Sequence, residues 1–519
     1  MALSIVWFKR DFRLHDHTPL TLASQNGPVL CLCVIEPSFW QAPDAAHQHH
    51  QFLLESAHEL DLQLQRRGGR LHLLSGEVPA ILERLWALSP FLALYSHEET
   101  GNALTFKRDQ AVARWCAAQG VAWHEIPQFG VVRRLKNRNL WKGHWDAHVE
   151  QPCLPVPEWQ AQAFAPLPWV EPALPSAQDL GLDLASPPKR QMGGRRLGLS
   201  VLQSFLQDRS GQYRGGISSP LSAPSACSRL SPYLAYGCLS LREIVQATVR
   251  QYARLPAEAV QQKKGLAAFM SRLHWHCHFI QKLESEPALE WRNVHRGFDG
   301  LREADWNSAH FEVLMAGRTG WPMVDACVAM LRETGWINFR MRAMLVSVAA
   351  YPLWLHWQPV GQWLARQFLD YEPGIHWSQM QMQSGTTGIN IPRVYNPIKQ
   401  ARDHDPHGHF VRRWLPALRK VPDVWLFEPW RMPPDLQAHY GLLPGDIAQP
   451  LVDLEVATRQ AKARLFAFKA LPEVRAAKSA IVEKHGSRKR QTPQAKPKPK
   501  PGKATPKTRV SSDQLGLDF

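Results

Sequence analysis

Residues 28–37 read PVLCLCVIEP. From Val29 to Ile35 every residue is aliphatic or Cys, with no polar alternation. Such a run, closed by prolines, fits a strand covered on both faces rather than one half in water. LSIVWF (3–8), GRLHLLSG (69–76) and FLALYSHE (91–98) are strand candidates of the same kind. Between them lie QFLLESAHELDLQLQRRG (51–68), VPAILERLWALS (78–89) and NALTFKRDQAVARWCAAQG (102–120), all with helical spacing. Strand and helix in turn predict a doubly wound parallel sheet, with ligands beyond the strand carboxyl ends. No GxGxxG follows the first strand, so the dinucleotide fingerprint is missing there.

The character changes further along. Residues 151–190 are rich in Pro and poor in periodicity, as an interdomain linker would be. From about 197 to 475 nearly every segment has helical spacing, as in SPYLAYGCLSLREIVQATVRQYARL and GLAAFMSRLHWHCHFIQKLES. LVSVAAYPLWL (345–355) is too short to span a bilayer and fits a core helix ending at Pro352. From about 484 the chain becomes KHGSRKRQTPQAKPKPKPGKATPKTR, a composition expected to stay disordered. The organisation expected is an α/β domain over 1–135, a linker over 136–195, a large all-α domain over 196–478 and a basic tail over 479–519.

Charge and composition narrow the function. The net charge is +16, with 21 Trp against 9 Tyr in 519 residues. From Lys484 onward ten Lys/Arg face two Asp, so about half of the net charge sits in the tail. A polyanion such as DNA is the expected partner. The excess of Trp suits either an aromatic core or stacking and electron transfer. The eight Cys form no CxxC pair and no zinc or iron–sulfur spacing, so reduced thiols and a cytoplasmic setting are expected. Lys9, Arg10, Asp11 and Arg13 stand where a signal peptide would be apolar. HxHxH at 274–278 suggests a metal, but on a helix alternate residues point about 200° apart, so no metal site is expected.

Three stretches hold the candidate chemistry. GWINFRMR (335–342) puts Asn338 and Arg342 four residues apart, on one helix face. A buried Arg342 needs a carboxylate, and FLDYEPGI offers Asp370 and Glu372. ACSRLSPYL has Ser228 and Ser231 before a Pro-started helix, which suits either a simple cap or an anion site. The Arg342 pair fits a structural salt bridge or a cofactor site.

VWFKRDFRLHDHTPL (6–20), SRLSPYLAYGCLSLREI (228–244), GRTGWPMVDACVAMLRETGWINFRMRAML (317–345) and NPIKQARDHDPHGHFVRRWLPALRKVPDVWLFEPW (396–430) together resemble the DNA photolyase/cryptochrome family, over roughly residues 3–475. The resemblance implies an α/β antenna domain, an all-α domain holding FAD, and blue-light electron transfer. It implies Tyr213, Ser228, Arg229, Leu230 and Ser231 around the FAD phosphates. It pairs Arg342 with Asp370 beside the flavin ring, with Glu372 where a second Asp is common. Cys227 stands where Thr is usual.

His376 takes the position of an Asn that faces flavin N5, and its imidazole would titrate near 6.5. Trp357 and Trp306 match the middle and outer members of a tryptophan chain. The flavin-proximal member is Met380, a poor electron carrier, with Trp377 three residues away as a substitute. The resemblance places Phe269, Arg272 and Trp275 toward the lesion, with Phe339 in place of Asn and Arg340 beside it on the DNA face. It also implies an antenna chromophore of the methenyltetrahydrofolate or 8-hydroxy-deazaflavin type, with SHEETGN (96–102) near its rim.

The function expected is light-driven repair of UV-induced pyrimidine dimers in DNA by a monomer away from membranes. The alternative is a cryptochrome-like photoreceptor without repair. The last six residues, QLGLDF, resemble the peptide that docks on the bacterial sliding clamp, with Gln514, Leu515, Leu517 and Phe519 as anchors.

Overall fold

The computed structural model describes residues 3–159, 163–389 and 392–486. The α/β domain holds β1 (Ser4–Phe8), β2 (Val29–Ile35), β3 (Leu71–Ser75), β4 (Ala93–His97) and β5 (Ala122–Ile126). All are parallel, in the order β3-β2-β1-β4-β5. The order reverses at β1, so the carboxyl ends of β1, β2 and β4 open onto one crevice. Helix α1 (His47–Gln65) crosses from β2 to β3. Helix α2 (Ala103–Gln119) starts where the Asn102 side chain accepts from Thr105 N and stops at Gly120, which takes φ 68°.

Two elements escaped the sequence pattern. β5 reads AWHEI and is only half-buried along its length, an edge strand whose polar residues hide the period. Helix α1 begins at His47, ahead of the apolar period, because Gln48 and His49 turn to the second domain. Gln48 Nε2 donates to Arg366 O at 2.6 Å, and His49 Nε2 meets Phe368 O at 2.9 Å. Their burial comes from docking and leaves no mark in local periodicity.

The segment expected as linker is partly helical. Helix α3 (Trp141–Glu150) lies inside it, with Trp141 and Trp145 buried. The rest clings to the α/β domain: Asp16 N donates to Leu154 O at 2.8 Å, and Val29 bridges Phe164.

The second domain is helical. It contains α4 (Ser210–Gly216), α5 (Ser231–Ala235), α6 (Val260–Ser285), α7 (Phe339–Ala350), α8 (Trp357–Gln367) and α9 (Pro373–Ser384) among others. Helix α7 stops two residues before Pro352. A last helix, α10 (Pro472–His485), carries regular structure beyond residue 479, where a tail was expected. Lys484 and His485 anchor its end on Glu286, each at 2.7 Å. Among the described residues no helix is long and apolar enough to cross a membrane.

The two domains meet along residues 9–17. Arg10 Nε donates to Ala235 O at 2.7 Å and Nη2 to Tyr371 O at 3.1 Å. Phe12 N donates to Tyr236 O at 3.2 Å, and Arg242 pairs with Asp16 at 2.8 Å. Gly237, at φ 59°, lets the backbones touch: a Cβ there would lie 2.2 Å from Arg10 O.

Candidate functional site

The site is built where α7, the segment before α9 and the start of α5 converge. Arg342, in the first turn of α7, pairs with Asp370: its Nη2 donates to Oδ2 at 3.0 Å, and its Nη1 lies 3.0 Å from Oδ1, which accepts no hydrogen bond. Its Nε donates to Ile337 O at 2.9 Å, and its guanidinium lies 4.2 Å from the Phe368 ring centre. The fork is thus fixed on three sides. Burial raises the Asp370 carboxyl, but the Arg342 guanidinium, the Ser231 hydroxyl and Arg229 outweigh it, so the group sits below its ordinary range.

Arg229 is the second cation. It takes φ 63°, a left-handed conformation costly for a side chain of this size, and lies 3.8 Å over the Trp336 ring. Burial lowers its guanidinium to about 10, Asp370 and Cys227 oppose the shift, and Arg342 reinforces it. Both guanidiniums act on the Asp370 carboxyl, Arg342 by contact and Arg229 by its charge alone, leaving positive charge at the site. Arg209 binds the carbonyls of Cys227 and Ser228 and fixes the loop before α5. Ser228 and Ser231 keep surface free at this loop, whereas Leu230 is wholly buried and its side chain serves the core. Helix α5 has only five residues and no side-chain cap, so an anion here would depend on Arg229 and the hydroxyls, not on a helix end.

Several expected site residues do other work. Asn338 caps α7 from outside the helix and donates to Ile217 O and Ser218 O, at 3.0 and 2.9 Å, so it shares no helix face with Arg342. Glu372 reaches the other domain and pairs with Arg10 at 3.3 Å; burial raises its carboxyl to about 7 although Arg10 opposes this. His376 bonds Gly361 O through Nε2 at 2.9 Å, and burial lowers it to about 4, so it is neutral where an exposed imidazole would titrate. Phe269 is 3% exposed and packs on Phe205 and Tyr213, with ring centres at 4.7 and 5.9 Å. It faces the core because a third aromatic fills the gap between α4 and α6. Tyr213 is buried too, and burial pushes its phenol above the ordinary range although Arg272 opposes the shift. Trp275 turns to His278 and Phe279, at 4.6 and 5.5 Å. The expected face of Phe269, Arg272 and Trp275 is thus divided among three environments.

Two of the expected tryptophans are in direct contact. Trp377 and Trp357 meet edge to face at 5.9 Å. Met380 lies beside Trp377, both against Gly361: a Cβ there would fall 2.5 Å from Trp377 and 3.3 Å from Met380. Trp357 Nε1 donates to Asn293 Oδ1 at 2.8 Å. Trp306 is 36% exposed and packs on Phe311 at 5.1 Å; among the described residues no ring contact joins it to Trp357. At the start of α7, Phe339 is 42% exposed; Arg340 beside it is half-buried, and its buried Nε has no hydrogen-bond partner. The His274, His276 and His278 side chains diverge to Trp141, Phe129 and Arg138.

A cavity lies at the sheet crevice. Trp7, Arg10, Trp40 and Arg108 from the α/β domain line it, with Tyr236 and Tyr371 from the helical domain. Glu99, Gly101 and Asn102 form its rim, within the stretch SHEETGN. Behind it, Asp11 holds His17 Nε2 at 2.9 Å and His97 Nδ1 at 2.7 Å, which ties β1 to β4. Sequence reasoning missed Arg10, Asp44 and Tyr371 as individuals. The one signal was a tyrosine between the two acids of FLDYEPGI.

Residues 4–133 match the family model described as DNA photolyase, and residues 269–467 match the FAD binding domain of DNA photolyase. The chain belongs to the DNA photolyase/cryptochrome family. It is 29% identical over 493 residues to the cryptochrome DASH of Gloeobacter violaceus, covering 87% of this chain and 93% of that one. It is 25% identical over 508 residues to the deoxyribodipyrimidine photo-lyase of Alkalihalophilus pseudofirmus, covering 90% and 98%. A bacterial class III photolyase from Agrobacterium tumefaciens has the same fold, with a TM-score of 0.78 at 24% identity over 91% of this chain and 98% of that one. The helical domain is this family's FAD-binding domain. Its donor set fits FAD: Arg229 and Arg342 outnumber Asp370, which suits a cofactor with an anionic diphosphate.

Proposed function

We propose that the protein is a light-driven flavoenzyme that repairs UV-induced pyrimidine dimers in DNA. One observation carries this reading. A single helix, α7, presents an exposed Phe339 beside a half-buried Arg340 and, two residues on, an Arg342 locked to Asp370 in the FAD-binding domain. An aromatic and a cation at the surface suit base stacking and phosphate contact. Bound FAD, when reduced, supplies the photoexcited electron that opens the dimer. Arg342 and Arg229 offset the negative charge of the cofactor, and Asp370 keeps Arg342 in place. The Trp377–Trp357 pair offers an internal source of electrons for keeping the cofactor reduced. Extrusion of the lesion from the duplex follows the general logic of base flipping.

The deciding experiment illuminates FAD-loaded protein with single- and double-stranded oligonucleotides that contain a thymine dimer. Recovery of thymine absorbance on either supports repair. The buried Phe269 favours a second reading, a blue-light photoreceptor, since it withdraws one wall of the expected lesion pocket. Photoreduction of FAD without dimer reversal on both substrates would establish that alternative.

Two partners complete the proposal. The crevice cavity, with the Trp7 and Trp40 indoles on its walls and the charges of Arg10 and Arg108 set against Glu36, Asp44 and Glu99, suits a flat aromatic antenna of the folate or deazaflavin type. Absorbance and mass of the chromophore released from native protein would identify it. The anchors Gln514, Leu515, Leu517 and Phe519 lie outside the described residues. We propose that they dock on the bacterial sliding clamp. Equal capture of the clamp by full-length chain and a chain ending at residue 513 would refute this.

A further inference from the structure

Tyr371 stands between Asp370, which faces Arg342, and Glu372, which faces Arg10, and joins neither pair. Its phenol donates to Asp44 Oδ2 at 2.6 Å. Asp44 is 6% exposed and is held toward the phenol by Asn102, whose Nδ2 donates to the same oxygen at 3.1 Å. The Tyr371 ring meets His376 edge-on at 5.2 Å, and His376 meets Trp377 at 4.9 Å. The buried indole N–H of Trp377 has no hydrogen-bond partner, and its ring is linked to Tyr371 through His376. Trp377 then continues to Trp357.

A phenol gives up an electron readily only if its proton leaves at the same time, so a base on the oxygen decides whether it can serve as a donor. Burial, followed by the charge of Asp44, holds the Tyr371 proton well above the ordinary phenol range, so the group starts neutral. A carboxylate at 2.6 Å is placed to take that proton. Trp306, by contrast, packs on Phe311, whose ring in turn meets Trp363 at 6.4 Å, and among the described residues no ring contact joins Trp306 or Trp363 to Trp357.

We propose that Tyr371 re-reduces oxidised Trp377 and passes its phenolic proton to Asp44. The inference rests on the reading that light drives an electron from Trp377 to bound FAD. One electron moves from Tyr371 to the Trp377 radical cation, which returns to neutral indole. The O–H bond of Tyr371 breaks, and its proton bonds to Asp44 Oδ2. Tyr371 is left as a neutral phenoxyl radical. The electron cannot return until the proton does, which prolongs the charge separation.

The test uses the full chain with oxidised FAD, a blue flash, and electron paramagnetic resonance with transient absorption. The native protein gives a phenoxyl signal whose hyperfine lines collapse when its tyrosines are deuterated. Tyr371→Phe, with FAD content as the check on folding, loses that signal and leaves an indole radical that recombines at least about tenfold faster. Asp44→Asn lowers the phenoxyl yield about tenfold, as loss of the proton acceptor requires. A phenoxyl signal that survives Tyr371→Phe, or FAD photoreduction with indole radicals alone in the native chain, would overturn the relay and leave the flavoenzyme reading intact. No photoreduction of bound FAD at all would overturn both.

Discussion

At Asp370 two guanidiniums face one carboxylate, and the imbalance sets what the site can hold. Removing the carboxylate leaves Arg342 without its partner and free to swing. Asp370→Asn is therefore expected to weaken FAD binding at least about tenfold, or ~1.4 kcal/mol, read by flavin fluorescence titration. His376 makes the opposite kind of prediction. Its folded value of about 4 lies below the ordinary 6.5, so it stays neutral from pH 5.5 upward. His376→Asn should leave the pH profile of flavin photochemistry between about 5.5 and 8 unchanged, because no titration of this group falls there. A profile that loses its inflection in the variant would contradict the burial described for this ring. The sequence could name Arg342, Asp370 and His376 as candidates. It could not foresee that His376 spends its nitrogen on Gly361, which depends on how closely α8 and α9 approach.

At the scale of elements, α8 and α9 cross at Gly361, where Trp377 and Met380 close over the glycine. A methyl group there meets the Trp377 ring at 2.5 Å. Gly361→Ala should cost about 1–3 kcal/mol through displacement of that ring. It should also disturb the Trp377–Trp357 contact, visible as a lower midpoint in urea and a changed tryptophan emission. The strands and most helices of the α/β domain were legible in sequence, since buried parallel strands carry unbroken apolar runs. β5 was not, because an edge strand may mix His and Glu without penalty. Helix α3, in a stretch without proline just ahead of the Pro-rich 151–190, was not legible, because its two buried Trp pack on α6 from far along the chain.

At the scale of the molecule, the domains are joined through buried groups that titrate. His49 of α1 bonds Phe368 O, and burial lowers it to about 4. In the unfolded chain it would titrate near 6.5, so below that value the unfolded state binds the extra proton. Its contribution to stability is full above 6.5, declines as pH falls through the window from 6.5 to 4, and amounts to about 3 kcal/mol. Melting temperature should fall across that window, and less steeply in His49→Gln. Glu372 acts in the other direction: its raised value of about 7 makes the folded state bind the proton between about 4.5 and 7, so its charge costs stability as pH rises through that range. Glu372→Gln should flatten any decline between pH 5 and 8.

The order of apolar runs and helical periods determined the fold class and the two-domain plan. Both are local patterns set by which face of a strand or helix must leave water. The ordered stretches of matching residues also fixed the family and its cofactor. The tertiary structure alone decided that Glu372 serves the domain junction, that Phe269 lies in the core, and that Tyr371 stands between Asp44 and Trp377. Each of these depends on distances between groups remote in the chain, and side-chain partners at such separations leave no periodic trace in the sequence.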